Sequence, residues 1–309
     1  MVFAFGGTEL PANLRLRVRR GEAAGVLLFG ANVASIGQVR AMTRELQAIP
    51  RPRGLREPLL VMVDQEGGLV KRLPGNPTLS PPQMTSEDVA RDQGAATART
   101  LRSAGVNVDL APVVDVARPG SQMEDEGRSF GRSTTTVGRR ARAFVRGLQG
   151  GGVAATAKHF PGFGSASANT DSATVVIRTP LRTLRRTDIP PFTVSRARLI
   201  MSSSAIYPAF GELPALLSRR VITGELRKRL GFDGLVVTDS LNATALLGYR
   251  RVAPRAIAAG NDLLLFTTYL SSARAVEELA GELRSGRLER APAEAAARRI
   301  LALRRTLPR

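Results

Sequence analysis

The stretch AATAKHFPGFGSASANTDSAT, residues 154–174, decides how the chain reads. Its first part, Ala154–Phe160, is small and apolar enough for a buried strand, and it carries Lys158 and the only histidine, His159, near its end. A loop of Gly, Ser, Ala, Asn and Thr follows, with a single carboxylate, Asp171. Connections usually run about four to six residues. This one is longer and has no apolar period, so it is more than a turn. A charged pair at a strand end, followed by a polar loop, is how a rigid scaffold presents groups to a ligand.

Outward from this stretch, strand-like and helix-like runs alternate. Residues 2–5, 25–30, 59–64 and 106–113 read as strands before it, and 199–203, 234–240 and 262–266 after it. Between them lie helical patterns: an Arg-rich one over 12–22, then Ile36, Val39, Met42, Leu46 and Ile49 at helical spacing. Thr85 and Asp88 form a capping box for a helix to Ser103, which Gly105 stops. Val137, Ala141, Phe144, Val145 and Leu148 mark another helix, and Ser218 caps one running through Leu230. Helices over 253–259, 271–285 and 292–306 complete the series. Eight short apolar strands separated by helices predict a (β/α)8 barrel of the TIM type, an α/β fold, as one domain over residues 1–309. An open doubly wound sheet is the alternative, and the lack of a glycine-rich phosphate loop after the first strand argues against it.

Composition narrows the function. The chain has no cysteine, so neither a disulfide nor a thiolate metal site is possible, and one histidine excludes a histidine-rich metal centre. The longest apolar runs, such as 59–63 and 263–266, are far too short to span a bilayer. The formal charge is +19, which suits a polyanionic partner. Yet of the 45 basic residues only Lys71, Lys158 and Lys228 are lysines, a ratio that points to GC-rich codons. The arginines are scattered and rarely interleave with the 11 Phe and 3 Tyr, so no nucleic acid is expected as partner. The start, MVFAFGGTELP, lacks a basic leader, and its apolar run stops at Gly6. A cytoplasmic protein, or an exported one whose leader has been trimmed, both fit.

In a parallel barrel every strand ends at the same rim, where active sites sit. The polar residues at strand ends are Asp64, Asp115, Lys158 with His159, Ser202 to Ser204, and Asp239, with Arg72 and Arg128 just beyond. One such carboxylate could be a helix cap, and several converging from different strands are harder to explain structurally. Asp and Arg recognise sugar hydroxyls, and a carboxylate at a barrel end can act as a glycosidic nucleophile.

Five segments carry a family resemblance: DQEGGLVKR (64–72), NVDLAPVVDV (107–116), GRSFG (127–131), AKHFPGFG (157–164) and GFDGLVVTDSL (231–241). In order and spacing, from about residue 2 to 266, they resemble glycoside hydrolase family 3, in its single-domain β-N-acetylglucosaminidase branch. The resemblance implies a barrel, a retaining mechanism and no metal or organic cofactor. It implies Asp239 as the nucleophile, and Asp64, Arg72, Arg128, Lys158 and His159 as the residues holding the sugar. The implied substrate is a carbohydrate, an amino sugar or peptidoglycan fragment of cell-wall turnover.

One departure matters. The branch carries a KHFPGHG-like segment and then an Asp-Ser-His triplet, whose histidine is the general acid/base. Here the first reads KHFPGFG with Phe163, the triplet is Asp171-Ser172-Ala173, and the loop is about two residues longer. Alanine cannot transfer a proton, help that is typically worth about 10²–10⁴-fold in rate. Asp171 is the first candidate to replace the histidine, with Glu124 and Glu126 behind it. The rival reading, from a different class, is a catalytically impaired barrel that binds amino sugar or peptidoglycan without turnover.

Overall fold

The computed structural model of the chain describes residues 1–308. Eight parallel strands close into a barrel: β1 (Val2–Ala4), β2 (Gly25–Leu28), β3 (Leu60–Val63), β6 (Val108–Asp109), β7 (Ala154–Phe160), β8 (Leu199–Ser202), β9 (Leu235–Ser240) and β10 (Leu263–Leu265). Their order around the barrel follows the chain, and β1 pairs with β10 through Val2 and Leu265 to close it. A small hairpin, β4 (Gln65–Gly67) with β5 (Val70–Lys71), stands on the end of β3.

The strands are almost wholly apolar because both their faces are buried. Val2, Leu27, Leu60, Met62, Val108, Leu199, Leu235 and Leu263 fill the interior of the barrel. Their strand neighbours Phe3, Val26, Leu28, Val61, Val63 and Val236 pack outward under the helices. This alternation is the period of two of an extended chain. Leu303 and Leu307, at the end of the helix Arg290–Thr306, join the interior cluster.

The predicted elements are present, with edges moved. The first half of the barrel carries the helices Ala12–Arg19, Ile36–Ala48, Glu87–Ser103 and Thr134–Gly150. The cap of the third is Ser86, whose hydroxyl accepts from the Val89 N–H, and not Thr85. The helix predicted after Ser218 is a wide, π-type turn over Arg220–Arg229. A short helical passage over residues 181–195 has no counterpart in the sequence reading. Prolines at 180, 190 and 191 interrupt any apolar period there, although a proline suits a first helical turn.

Two helices meet through glycine. A Cβ on Gly94 would lie 2.2 Å from the Phe144 carbonyl oxygen, and one on Gly147 would lie 2.1 Å from that of Arg91. The backbones of Glu87–Ser103 and Thr134–Gly150 therefore touch at a separation no other residue permits, and this pair covers β6 and β7 from outside.

Candidate active site

At the C-terminal rim a cavity of about 340 Å³ opens. Asp64, Arg72, Arg128, Lys158, His159, Asp171 and Asp239 all line it. Asp64 follows β3 and Lys158 lies on β7, with β6 between those strands, and the two are in direct contact, Nζ to Oδ1 at 2.6 Å.

The base of the site is a buried charge network. Lys158 also reaches Glu66 Oε1 at 2.7 Å. Arg128 grips Glu66 with two bonds, Nε at 2.8 Å and Nη2 at 2.9 Å, and gives Nη1 to Glu126 at 3.1 Å. Glu66 is completely buried at its side chain. Burial alone would raise its pKa, but the charges of Lys158 and Arg128 outweigh it and bring the carboxyl down to about 2. The same balance runs in reverse for Lys158. Burial acts to lower its pKa, and Asp64 and Glu66 hold it above the ordinary lysine value. Both groups stay charged, and the network is rigid because its forked, charge-assisted bonds fix its members in place.

Sequence reasoning missed Glu66. Its signal was present in DQEGG: residues two apart on an extended chain face the same way, so Asp64 and Glu66 reach one side together. Lys158 bridges them.

His159 is held from behind. Its Nδ1 lies 2.8 Å from Asp115 Oδ2, and the same carboxylate accepts the backbone N–H groups of His159 (3.1 Å) and Phe163 (2.7 Å). A carboxylate in that role accepts, so Nδ1 carries the hydrogen and Nε2 is left for the cavity. The chain passes close to Asp115: a Cβ on Gly164 would meet the Val116 carbonyl oxygen at 1.9 Å. The ring of Phe163 lies against His159 with centroids 5.7 Å apart and also lines the cavity.

Three groups are left with unused capacity. Arg72 donates its backbone N–H to Gln65 Oε1 at 3.0 Å, while its buried Nε has no partner among the described residues. The Oε1 of Gln122 is likewise unpaired, its Nε2 donating to Glu126 at 2.8 Å. Asp239, at the end of β9, takes one bond to Oδ1 from the Ser240 N–H at 2.7 Å and faces the cavity with its remaining lone pairs. Buried polar atoms are normally satisfied, so two unpaired ones beside the open carboxylate of Asp239 suit a place that takes a ligand.

Asp171 lines the cavity from the long loop. Desolvation raises its pKa above the ordinary aspartate value, and the charge of Asp239 raises it further, while His159 opposes the shift. The loop hangs on the segment after β9: Thr244 N–H donates to the Asp171 carbonyl at 3.3 Å and Ala245 N–H to the Thr170 carbonyl at 3.1 Å. Ala173 does not line the cavity. Of the two glutamates, Glu126 lines it, whereas Glu124 is bound by Arg132 and the Gly120 N–H and does not.

Residues 9–303 match the family described as the glycosyl hydrolase family 3 N-terminal domain. A protein of Arthroderma benhamiae described as an uncharacterized secreted glycosyl hydrolase is 33% identical over 99% of this chain and 92% of its own length. A beta-hexosaminidase of Xanthomonas axonopodis pv. citri is 35% identical over 86% of this chain and 82% of its own. Among solved structures, a family 3 β-N-acetylglucosaminidase of Paenibacillus superposes with a TM-score of 0.92 at 31% identity. This chain is covered to 99% and spans 60% of that one. A β-N-acetylhexosaminidase of Beutenbergia cavernae superposes with a TM-score of 0.88 at 28% identity, covering 98% of this chain and 96% of its own.

Proposed function

The chain belongs to glycosyl hydrolase family 3 and is a glycoside hydrolase, and from that premise we propose a retaining β-N-acetylhexosaminidase in which Asp239 is the nucleophile and Asp171 the proton donor. The observation that carries this is the shared cavity: Asp239 and Asp171 line it together, and the charge of Asp239 is felt at Asp171. Asp239 attacks the anomeric carbon as the glycosidic bond breaks, and a glycosyl ester forms at its carboxylate. Asp171, with its raised pKa, gives its proton to the departing oxygen and takes one back from the water that hydrolyses the ester. Asp64, Lys158, Arg128, Arg72 and His159 hold the sugar hydroxyls in the nucleophile's subsite. The relatives' names favour a terminal β-linked N-acetylated amino sugar, and a cell-wall fragment is the substrate proposed.

Both readings kept open by the sequence had a basis, the second in the missing histidine. Asp171 supports the enzyme, because a carboxylic acid replaces what Ala173 cannot supply. The family and its hydrolase relatives also do not favour a binder without turnover. The decisive test is Asp239→Ala, expected to abolish turnover of an aryl N-acetyl-β-glucosaminide with the fold intact by circular dichroism. A mechanism-based fluorosugar should attach to Asp239, identified by peptide mass. Attachment to another residue, or undiminished turnover in the variant, ends the assignment.

A further inference from the structure

Outside the cavity a second buried ion pair stands near the one that fixes His159. Asp188, on the helical passage over residues 181–195, has a side chain only 2% exposed. Arg118 Nη2 reaches both of its oxygens, at 2.9 and 3.0 Å. Burial pushes the Asp188 carboxyl up to about 6, opposed by Arg118 and aided by the charge of Asp115. Two buried carboxylates in one neighbourhood repel, and a buried ion pair is weak evidence for stability. Neither Asp188 nor Arg118 lines the cavity.

What the pair holds is the turn over residues 161–164. Gly162 packs so closely that a Cβ there would lie 2.6 Å from the Asp188 Cβ. Arg118 donates Nη1 to the Val116 carbonyl at 2.6 Å and its backbone N–H to the Gly164 carbonyl at 2.9 Å. The Tyr207 hydroxyl donates to the Gly162 carbonyl at 3.0 Å, and the Gly162 N–H closes the turn on the His159 carbonyl at 2.9 Å. The turn so placed delivers the Phe163 N–H to Asp115 Oδ1, and Oδ2 of the same carboxylate holds His159 Nδ1. The path from Asp188 to the imidazole therefore runs through direct contacts at every step.

We infer that Asp188, together with Arg118, is a positioning residue that sets the His159 imidazole in the sugar subsite through this turn. A ring that offers Nε2 to a sugar hydroxyl must be held in one orientation and one tautomer, which is the work of the groups behind it. The inference rests on the reading of His159 as a sugar ligand and is independent of which residues act as nucleophile and acid.

The test is proton–nitrogen NMR of the whole protein, where a single histidine makes the imidazole signals unambiguous. Asp188→Asn keeps the shape of the side chain and removes its charge. Expected is a shifted or broadened Nδ1–H resonance of His159 in a variant that stays folded by circular dichroism. KM for an aryl N-acetyl-β-glucosaminide should rise about tenfold, the scale of one lost hydrogen bond, with kcat within about twofold. Arg118→Lys, which keeps the charge without the fork, should shift both readouts less. If Asp188→Asn does not fold, Arg118→Gln, altered at a partly exposed side chain, carries the same expectations. An Nδ1–H resonance identical to that of the unmodified protein in a folded variant, or an unchanged KM, makes Asp188 purely structural and overturns the inference. The resonance is read without substrate, so it decides the matter even in a protein where Asp239 or Asp171 proves not to act.

Discussion

Glu66 shows how much one buried side chain can hold. It is the counter-charge that Lys158 and Arg128 share. Glu66→Gln would remove that buried counter-charge, leaving each cation with one carboxylate, Asp64 for Lys158 and Glu126 for Arg128. Because those partners remain, the loss should fall below the roughly 3–5 kcal/mol of a fully broken buried pair, measurable by urea unfolding. Its linkage to pH has a definite sign. A carboxyl lowered from 4.5 to about 2 adds stability that is fully present above pH 4.5 and is lost as pH falls towards 2. The size is on the order of 3 kcal/mol, and in Glu66→Gln that loss on acidification should be absent. Asp171 shifts the other way. If it donates the proton, kcat/KM falls as pH rises through its raised pKa, and Asp171→Asn removes that descending limb. Asp171→Asn should also slow natural disaccharides by about 10²–10⁴-fold while sparing aryl glycosides with acidic phenols, which leave without help. Equal slowing of both classes would shift the role to Glu126. Asp64, Lys158, His159 and Asp239 share one cavity because their signal was local: a polar group at the end of an apolar strand. Glu66 escaped because its position depends on a hairpin turned by Gly67 and Gly68, both at positive φ, and the apolar run had already ended.

At the scale of elements, the strand pattern was legible and its edges were not. The reading over 106–113 shrinks to Val108–Asp109, because Pro112 has no N–H to give the ladder, and pairing resumes only at Val113 with Lys158. The fifth strand was readable to the residue, since Gly150–Gly152 before it and Pro161 after it both interrupt regular structure. The close helix pair was not readable, because Gly94 and Gly147 sit inside helical patterns that glycine normally weakens. Gly147→Ala makes the point testable. Alanine is the better helix former, yet its methyl would enter the Arg91 carbonyl. Melting should show destabilisation of about 1–3 kcal/mol, the usual cost of overpacking. A gain in stability would mean that the two helices can part without loss.

For the whole molecule the dominant quantity is charge. With +19 on 309 residues, repulsion among exposed arginines works against the compact state. Salt shortens the reach of that repulsion, from about 10 Å at 0.1 M to about 3 Å at 1 M. The melting temperature should therefore rise as sodium chloride is increased, measured by calorimetry at pH 7. A fall would show that surface ion pairs such as Arg139 with Glu87 outweigh the net repulsion. The sequence gives the sum of these charges but not their arrangement. Arg40 and Arg44 lie on one helix, Arg51 and Arg56 on a connection and Arg102 on another helix, and only the closed barrel gathers them at one recess.

The loop that carries Asp171 is attached to its neighbour by main chain alone, through the carbonyls of Thr170 and Asp171. Main-chain bonds are blind to side-chain identity. The berth and its cargo are thus separable: a lineage could exchange histidine for aspartate at the tip, or an engineer could restock positions 171–173, without disturbing how the loop is moored. If Asp171 is the proton source as proposed, the barrel is a natural host for a library of acids, each presented to the same sugar from the same quay.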